Sequence, residues 1–389
     1  MLKICHVITR MIIGGAQENT LYTIQGHLEK GHEVTLVTGP TTGPEGQLLK
    51  TFRPSGMRLV EIPELIRSLN PVQDWRAYRK LRKFFEENHF DVVHTHASKA
   101  GIVGRVAARK AGVPFVVHTV HGQAFHPYQA ALKNQLYIAA ERFAAKYCDR
   151  IYAVAQAMID QCVAAGVAPR EKYQVVYSGM DLQSFVNAKR SPELRARLGI
   201  PADAPVVGML ARLFELKGHD CMIAAAPQIV AQVPDVRFLF IGDGVLREQL
   251  QAEIARLGLA EHFVFAGLIP PEQVPEYLAQ VDVLAHLSLR EGLPRACVQA
   301  LAAAKAVVAY PLDGTPEVVL DGETGLLGAP EDVAQVAANV VRLLQDRELR
   351  ERLGRRGQQL VLERFDWRKM ADTLETSYLE GVAKARANA

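Results

Sequence analysis

The stretch NAKRSPELRARLGIPADAP, residues 187–205, divides the sequence. It is polar and punctuated by Pro192, Pro201 and Pro205, and a series of short apolar runs lies on each side of it. Before it come KICHVIT, EVTLVTG, RLVEI, DVVHTH, FVVHTVHG, RIYAVA and YQVVYSG; after it come PVVGMLAR, RFLFIGDG, FVFAGLI, VLAHLS, AVVAYPL and GLLGA. Amphipathic segments such as 16–30 and 131–147 separate them. Near-continuous apolar strands alternating with helices predict parallel sheets covered on both faces. Two such series predict an α/β chain of two doubly wound domains, residues 1–185 and 186–367. A long amphipathic helix, FDWRKMADTLETSYLEGVAKARA, follows with no strand left to feed. Its last part, 368–389, is expected to pack back on the N-terminal domain. Sheets of this kind bind ligands beyond the carboxyl ends of their strands, and the cleft between two such domains is the default site.

Length and composition agree with this division. A chain of 389 residues exceeds one ordinary core, and 49% hydrophobic with 22% charged residues is the balance of a folded, water-soluble protein. The five cysteines are scattered and form no C-x-x-C pair, which argues for a reducing compartment and against structural zinc. The opening run LKICHVI lacks the pattern of a signal peptide, and no apolar stretch reaches the ~20 residues of a membrane-spanning helix. The expected location is the cytoplasm. Charge is uneven: residues 1–185 carry 22 Lys and Arg against 15 Asp and Glu, the remainder 23 against 27. A basic first half suits an anionic membrane surface or a phosphorylated substrate, and ordinary surface variation is the plainer account. No motif points to nucleic acid.

Four places join glycine, charge and a strand end. In RMIIGGAQENT, Gly14 and Gly15 open a helix, where backbone can approach a ligand and a helix N-terminus favours an anion. The spacing is not G-x-G-x-x-G, and neither is that of GDG at 242–244. In HTVHGQAFH, His118 and His121 end a strand; His121 is placed to reach a ligand's hydroxyls, whereas His118 has the core reading. The pairs His94/His96 and His118/His121 have no carboxylate or cysteine to complete a metal set, so no metal is expected. In GMLARLFELKGHD, Arg212 and Lys217 flank a strand-to-helix loop and suit a diphosphate, with a solvated loop as the alternative. In SLREGLPRACVQALAAAKAV, residues 288–307, Glu291 precedes a helix whose N-terminal amides favour phosphate. Glu291 suits sugar hydroxyls. Gln299, eight residues on, would lie roughly 12 Å along a continuous helix and suits a second sugar, with pyrophosphate between.

Together these segments resemble glycosyltransferase family 4, retaining enzymes of the GT-B fold. GGAQENTL, TVHG, YSGMDLQSF, RLFELKGHD, and REGLPRACVQALAAAKAVVAY followed by GTPEVVLDGETGLL carry the resemblance in order along nearly the whole chain. It implies that Gly14 and Gly15 approach the donor diphosphate, and that Arg212 and Lys217 bind it. It implies that His121 contacts the transferred hexose and that Glu291 holds its hydroxyls. Gly292, Leu293, Pro294, Arg295 and Ala296 would complete the cradle, and the 264–267 segment, with Phe265 and Gly267, would meet the base. Two positions depart from the family pattern: Ser178 stands for an Asn, and Gln299 for the second acid of its Glu-x7-Glu pair, the ribose clamp. The implied donor is a nucleotide-diphosphate sugar, with a UDP-sugar favoured. The implied acceptor is a glycan, a lipid-linked sugar or a small molecule, and neither cofactor nor metal is implied. No carboxylate nucleophile is evident in these motifs, so the expected mechanism is same-face substitution with the diphosphate as leaving group. A sugar-nucleotide epimerase of the same fold and a silent sugar-nucleotide-binding protein remain the alternatives.

Overall fold

A computed structural model describes residues 1–41 and 46–388. Its contacts divide the chain into two units, 1–180 with 365–389, and 181–364.

The first unit holds seven strands: β1 (Lys3–Ile8), β2 (Glu33–Thr38), β3 (Arg58–Glu61), β4 (Val92–His96), β5 (Phe115–Val120), β6 (Arg150–Ala153) and β7 (Tyr173–Val175). Its helices are α1 (Gly15–Glu29), α2 (Pro71–Asn88), α3 (Ser98–Lys110), α4 (Ala131–Ala145) and α5 (Gln156–Ala164). All pairings are parallel, in the order β3-β2-β1-β4-β5-β6-β7. The order reverses between β1 and β4, so the switch point of this sheet lies at their carboxyl ends.

Strand parity decides what each face holds. Cys5, Val7, Val93 and Val116 face a core built with Ala77, Leu81 and Phe85 of α2 and with Ala100, Ala107 and Ala108 of α3. Ile4, Ile8, Val92 and Val117 face the opposite way, onto Leu21 and Ile24 of α1 and onto the last helix. Trp75 of α2 is 56% exposed, with the Arg79 guanidinium 4.9 Å from its ring. Trp75 is four residues before Arg79 and six before Leu81, and so falls off the α2 face that carries Leu81 and Phe85.

The second unit opens with α6 (Gln183–Asn187) and α7 (Pro192–Arg197), so the polar dividing stretch is itself partly helical. Ser191 caps α7 by accepting from the Leu194 amide, and Pro192 occupies the first turn. Six strands follow: β8 (Val206–Leu210), β9 (Arg237–Ile241), β10 (Phe263–Gly267), β11 (Val283–His286), β12 (Ala306–Ala309) and β13 (Gly325–Leu327). They are parallel in the order β10-β9-β8-β11-β12-β13, with the switch point between β8 and β11. The helices are α8 (His219–Gln232), α9 (Arg247–Arg256), α10 (Val274–Ala279), α11 (Arg295–Ala302), α12 (Val333–Gln345) and α13 (Arg347–Arg364).

The chain then returns to the first unit through α14 (Trp367–Ala387). Trp367, Met370, Leu374, Tyr378 and Val382 of α14 are buried in the core that α1 and β1 also build. Gly26 of α1 makes this approach possible, because a Cβ there would overlap the Ala371 methyl. Ala389, the end of the expected C-terminal helix, lies outside the described residues.

Candidate functional site

In the second unit, the loops that follow β8 and β11 meet at the switch point. The loop after β8 turns through Leu216 (φ 64°) and Gly218 (φ 76°) into α8. A Cβ on Gly218 would overlap the Leu287 carbonyl, so glycine is required beside Lys217 for the loop to lie against the end of β11. The Leu289 amide and the Ser288 hydroxyl both donate to the Leu216 carbonyl, at 2.9 and 3.1 Å. This seating brings Lys217 Nζ to 2.7 Å from Glu291 Oε1 and 3.3 Å from Ser288 Oγ. The Glu291 amide donates to Asp313 Oδ2 at 2.8 Å, which ties the loop to the end of β12.

The Glu291 side chain is 17% exposed, and His286 Nε2 approaches it at 3.5 Å. Burial works to raise its carboxyl; His286, Lys217 and Ser288 outweigh burial, and the net shift is below the ordinary carboxylate value. An ionised acid is therefore held beside an ammonium at the carboxyl edge of the sheet, where each keeps capacity for a polyhydroxylated, anionic ligand. Arg212 does not join this pair. It is exposed, with its guanidinium 4.9 Å from the Phe214 ring.

Residues 291–294 are not helical, and α11 starts at Arg295. The expected 12 Å helical span from Glu291 to Gln299 is therefore replaced by a turn through Gly292 and Pro294, plus one helical turn. Pro294 lacks the amide that a continued helix would use. Helix α11 buries Cys297, Val298 and Ala300–Ala302, and leaves Arg295, Ala296 and Gln299 half-exposed. Arg295 and Gln299 are four apart and share a face. Leu293 and Pro294 are buried, and Gly292 is half-buried with them in the turn. The first turn of α11 holds no acidic residue to compete with an anion.

Phe265 and Gly267 close β10, two strands from β8. The Arg247 guanidinium lies 5.6 Å from the Phe265 ring. The GDG segment serves the fold, since a Cβ on Gly242 or Gly244 would overlap the carbonyls of Ala211 and Leu213. The end of β9 thereby holds the loop that carries Arg212 and Lys217.

In the first unit, Gly14 caps α1 with φ −179°, extended backbone open to any residue, and the helix begins at Gly15. A Cβ on Gly14 meets only the flexible Gln17 side chain. Gly14 therefore supplies space at the end of β1 and not a special turn. Ser178, at the Asn position of the family pattern, accepts from Asn19 Nδ2 at 2.9 Å within the α1–α14 packing.

His121 lies just past β5 and lines a cavity of about 150 Å³ with Ala97, Ser98, Gly122 and Gln123. His118 does not end the strand. It is buried inside β5, its Nδ1 paired with Thr95 Oγ1 at 3.0 Å, beneath Gly101. The opposite parity holds a cluster that the sequence pattern does not reveal. His6 of β1 pairs in register with His94, and its Nδ1 lies 2.9 Å from His96 Nε2. His96 Nδ1 lies 3.0 Å from His121 Nε2. His94 bonds Tyr378 and Thr119 through its two ring nitrogens. The ring nitrogens of His6, His94 and His96 fall within 4.8 Å of one another, so β1 supplies the third member that the His-x-His pair lacked for a metal set. In this structure those nitrogens are taken up by hydrogen bonds, apart from His6 Nε2. Burial first, and neighbouring imidazoles after it, hold His94 and His96 well below the usual histidine value; burial alone brings His6 to about 3.

Two Rossmann-like parallel-sheet units in one chain, the second with an acid and a cation at its switch point, are the GT-B architecture of glycosyltransferases. Residues 13–184 match the family described as Glycosyltransferase Family 4, and residues 190–360 match Glycosyl transferases group 1. The 2-deoxystreptamine glucosyltransferase of Streptomyces kanamyceticus is 31% identical over 66% of this chain and 68% of its own. The Escherichia coli UDP-Gal:alpha-D-GlcNAc-diphosphoundecaprenol alpha-1,3-galactosyltransferase is 28% identical over 98% of this chain and 97% of its own. Anabaena HepE, solved in complex with UDP, superposes with a TM-score of 0.81 at 25% identity, over 97% of this chain and 100% of that one. The chain belongs to glycosyltransferase family 4 and is a glycosyltransferase of the GT-B type.

Proposed function

We propose that the protein is a metal-independent, retaining glycosyltransferase. It moves a hexose or N-acetylhexosamine from a nucleotide-diphosphate sugar, with a UDP-sugar favoured, to a glycan, lipid-linked or small-molecule acceptor. The observation that carries this reading is the Lys217–Glu291 pair at the β8/β11 switch point. Glu291 accepts from hydroxyls of the transferred sugar, while Lys217, Arg212 and the α11 N-terminus neutralise the diphosphate as it departs. Backbone at Gly14 and Gly15 approaches the diphosphate, the Phe265–Gly267 strand end meets the base, and Gln299 holds the ribose. Cations and amides take the part of a metal, so no resident cofactor is invoked.

The donor assignment is supported by HepE, whose solved complexes contain UDP and, separately, UDP-glucose. A lipid-linked acceptor is supported by the E. coli relative, which is named for transfer to GlcNAc-diphosphoundecaprenol. The exposed face of α2 supports an approach to an anionic bilayer from the cytoplasm: Trp75 stands with Arg76, Arg79, Lys80 and Lys83, and Leu69 and Val72 are exposed just ahead. No helix among the described residues is long and apolar enough to cross a membrane, so such contact is peripheral. The test is incubation with an α-linked UDP-sugar and acceptor in excess EDTA, with proton NMR of the new anomeric signal. An α-product is expected. A β-product, or strict dependence on added magnesium or manganese, would overturn the mechanism.

A further inference from the structure

The cavity beside His121 opens at the carboxyl ends of β4 and β5, where its lining residues Ala97, Ser98 and Gly122 keep exposed surface. Its other end is made by buried residues, among them Arg105, Ile151, Cys162 and Val167. Helix α4 covers it loosely: Glu141 lines the cavity, and α4 buries no residue before Ala144. At about 150 Å³ the space is far larger than the ~10–15 Å³ that one water needs.

Two of the lining side chains carry a polar atom that the fold leaves unmatched. Arg105 has no exposed surface; its Nε donates to the Gly101 carbonyl and its Nη2 to Glu141 Oε2, both at 2.7 Å. Its Nη1 is buried without a hydrogen-bond partner among the described residues, and so is the Tyr173 hydroxyl. Thiols stand near both, Cys148 by Arg105 and Cys162 by Tyr173. A thiol is too weak an acceptor to satisfy either group. Buried donors cost free energy unless something accepts from them, so two in one cavity mark a place for a hydrogen-bond acceptor.

Charge and shape narrow what that acceptor is. Arg105 and Glu141 form an ion pair that brings no net charge to the cavity. Burial holds the His118 imidazole, also in the lining, far below its ordinary value and therefore neutral. A phosphate or carboxylate would enter beside the Glu141 carboxylate with no cation left to compensate it. A hydroxyl would answer the donors but leave Ile151, Cys162 and Val167 facing a void. A carbonyl that carries a methyl meets both requirements.

We propose that this cavity is a specificity subsite for the acetamido group of an N-acetylated amino sugar. The carbonyl oxygen accepts from Arg105 Nη1 and from the Tyr173 hydroxyl, and the methyl packs on Ile151, Cys162 and Val167. The subsite deepens the proposed function and rests on its placement of a sugar at His121. The acetamido group belongs either to the transferred sugar or to the acceptor sugar beside it, and its recognition is the same in both.

Steady-state kinetics with the full chain separates the two sources. One arm compares UDP-N-acetylglucosamine and UDP-N-acetylgalactosamine with UDP-glucose and UDP-galactose at a fixed acceptor. The other compares an alkyl-diphosphate-linked N-acetylglucosamine with its glucose counterpart at a fixed donor. In one arm, kcat/KM should favour the acetamido compound by about 30-fold or more, since its counterpart leaves polar groups unmatched. Tyr173→Phe deletes the hydroxyl without deleting a protein hydrogen bond, so the melting temperature should hold while that ratio falls about fivefold. Val167→Phe fills the apolar end, and the ratio should fall to near one. Equal use of the paired compounds in both arms overturns the proposal, and so does a preference that both variants leave unchanged. Absence of transfer in every arm is a failure of the underlying reading, and binding then decides the subsite. In saturation-transfer NMR with these acetamido compounds, the acetamido methyl should be the most strongly saturated signal with the wild type and lose that rank with Val167→Phe. A methyl no more saturated than the sugar-ring protons overturns the subsite as well.

Discussion

Lys217 and Glu291 are each other's principal partner, and that constrains how either can be changed. Removing Lys217 leaves the Glu291 carboxylate in a mostly buried position with one compensating charge fewer, and under the proposed function it also removes the cation assigned to the diphosphate. Lys217→Ala should lower transfer by about 10²-fold or more, and Arg212→Ala by a similar factor through the leaving group alone. Near-native rates in both folded variants would remove the loop from the donor site. Gln299 belongs to a gentler case. An uncharged amide there forms a weaker bond to a hydroxyl than a carboxylate does, so Gln299→Glu should preserve or tighten donor binding. Gln299→Ala should chiefly raise donor KM, by around tenfold if a bond of about 1–2 kcal/mol is lost. Steady-state kinetics with donor varied checks both. The charged residues after β8 and β11 were legible in the sequence because charge at a strand's carboxyl end is conspicuous. Their direct contact was not, since it depends on β8 and β11 becoming neighbours. His6 was illegible for a related reason: one polar residue inside an apolar strand reads as core until register sets it beside His94 and His96. Asp313 gave no signal either, because its role is to hold a backbone amide.

Elements show the same division between pattern and placement. Each apolar run in the sequence became a strand, because continuous β-branched segments bounded by turns have few other ways to bury themselves. The helical spacing of roughly 12 Å between Glu291 and Gln299 is not realised, because the chain turns through Gly292 and Pro294 before α11 begins at Arg295. Helix α14 was legible as amphipathic, while its seat was set by a residue in α1. Gly26 lies inside α1, where glycine is less favourable than alanine by about 1 kcal/mol, and its close approach to Ala371 accounts for its presence. Gly26→Leu should force α14 outward and cost about 1–3 kcal/mol, the range for overpacking a filled interface. Trp367 reports the displacement. The chain has two tryptophans, Trp75 already exposed and Trp367 buried at this interface, so emission should shift to the red. An unchanged spectrum together with an unchanged melting temperature would mean that α14 does not depend on this contact.

At the scale of the whole molecule, the two units should respond differently to acid. His6, His27, His94, His96 and His118 are buried in the first unit, and burial is the first cause holding each below the ordinary value of 6.5, His6 at about 3. In the second unit the same cause lowers His219, to about 4, and His286. Between roughly pH 6.5 and 3 the unfolded chain binds protons that the folded chain excludes, so unfolding takes up protons there. The stability these groups permit is complete above pH 6.5 and declines as pH falls through that window. Each neutral buried histidine adds a slope of up to about 1.4 kcal/mol per pH unit. Five such groups against two make the first unit the more acid-labile. Both tryptophans lie in that unit, so fluorescence-detected urea melts follow it alone, while far-UV circular dichroism follows both. On moving from pH 7.5 to pH 5, the fluorescence midpoint should fall further than the dichroism midpoint. His27 offers the sharpest control, because neither of its ring nitrogens has a hydrogen-bond partner. His27→Phe keeps a ring beside Tyr378 and His6 and forfeits no bond. It should leave stability at pH 7.5 level or raised, and recover about 1–2 kcal/mol at pH 5, where the wild type must hold this imidazole neutral against the medium. Equal midpoint shifts by the two probes, or a His27→Phe variant as acid-sensitive as the wild type, would place the acid response elsewhere in the chain.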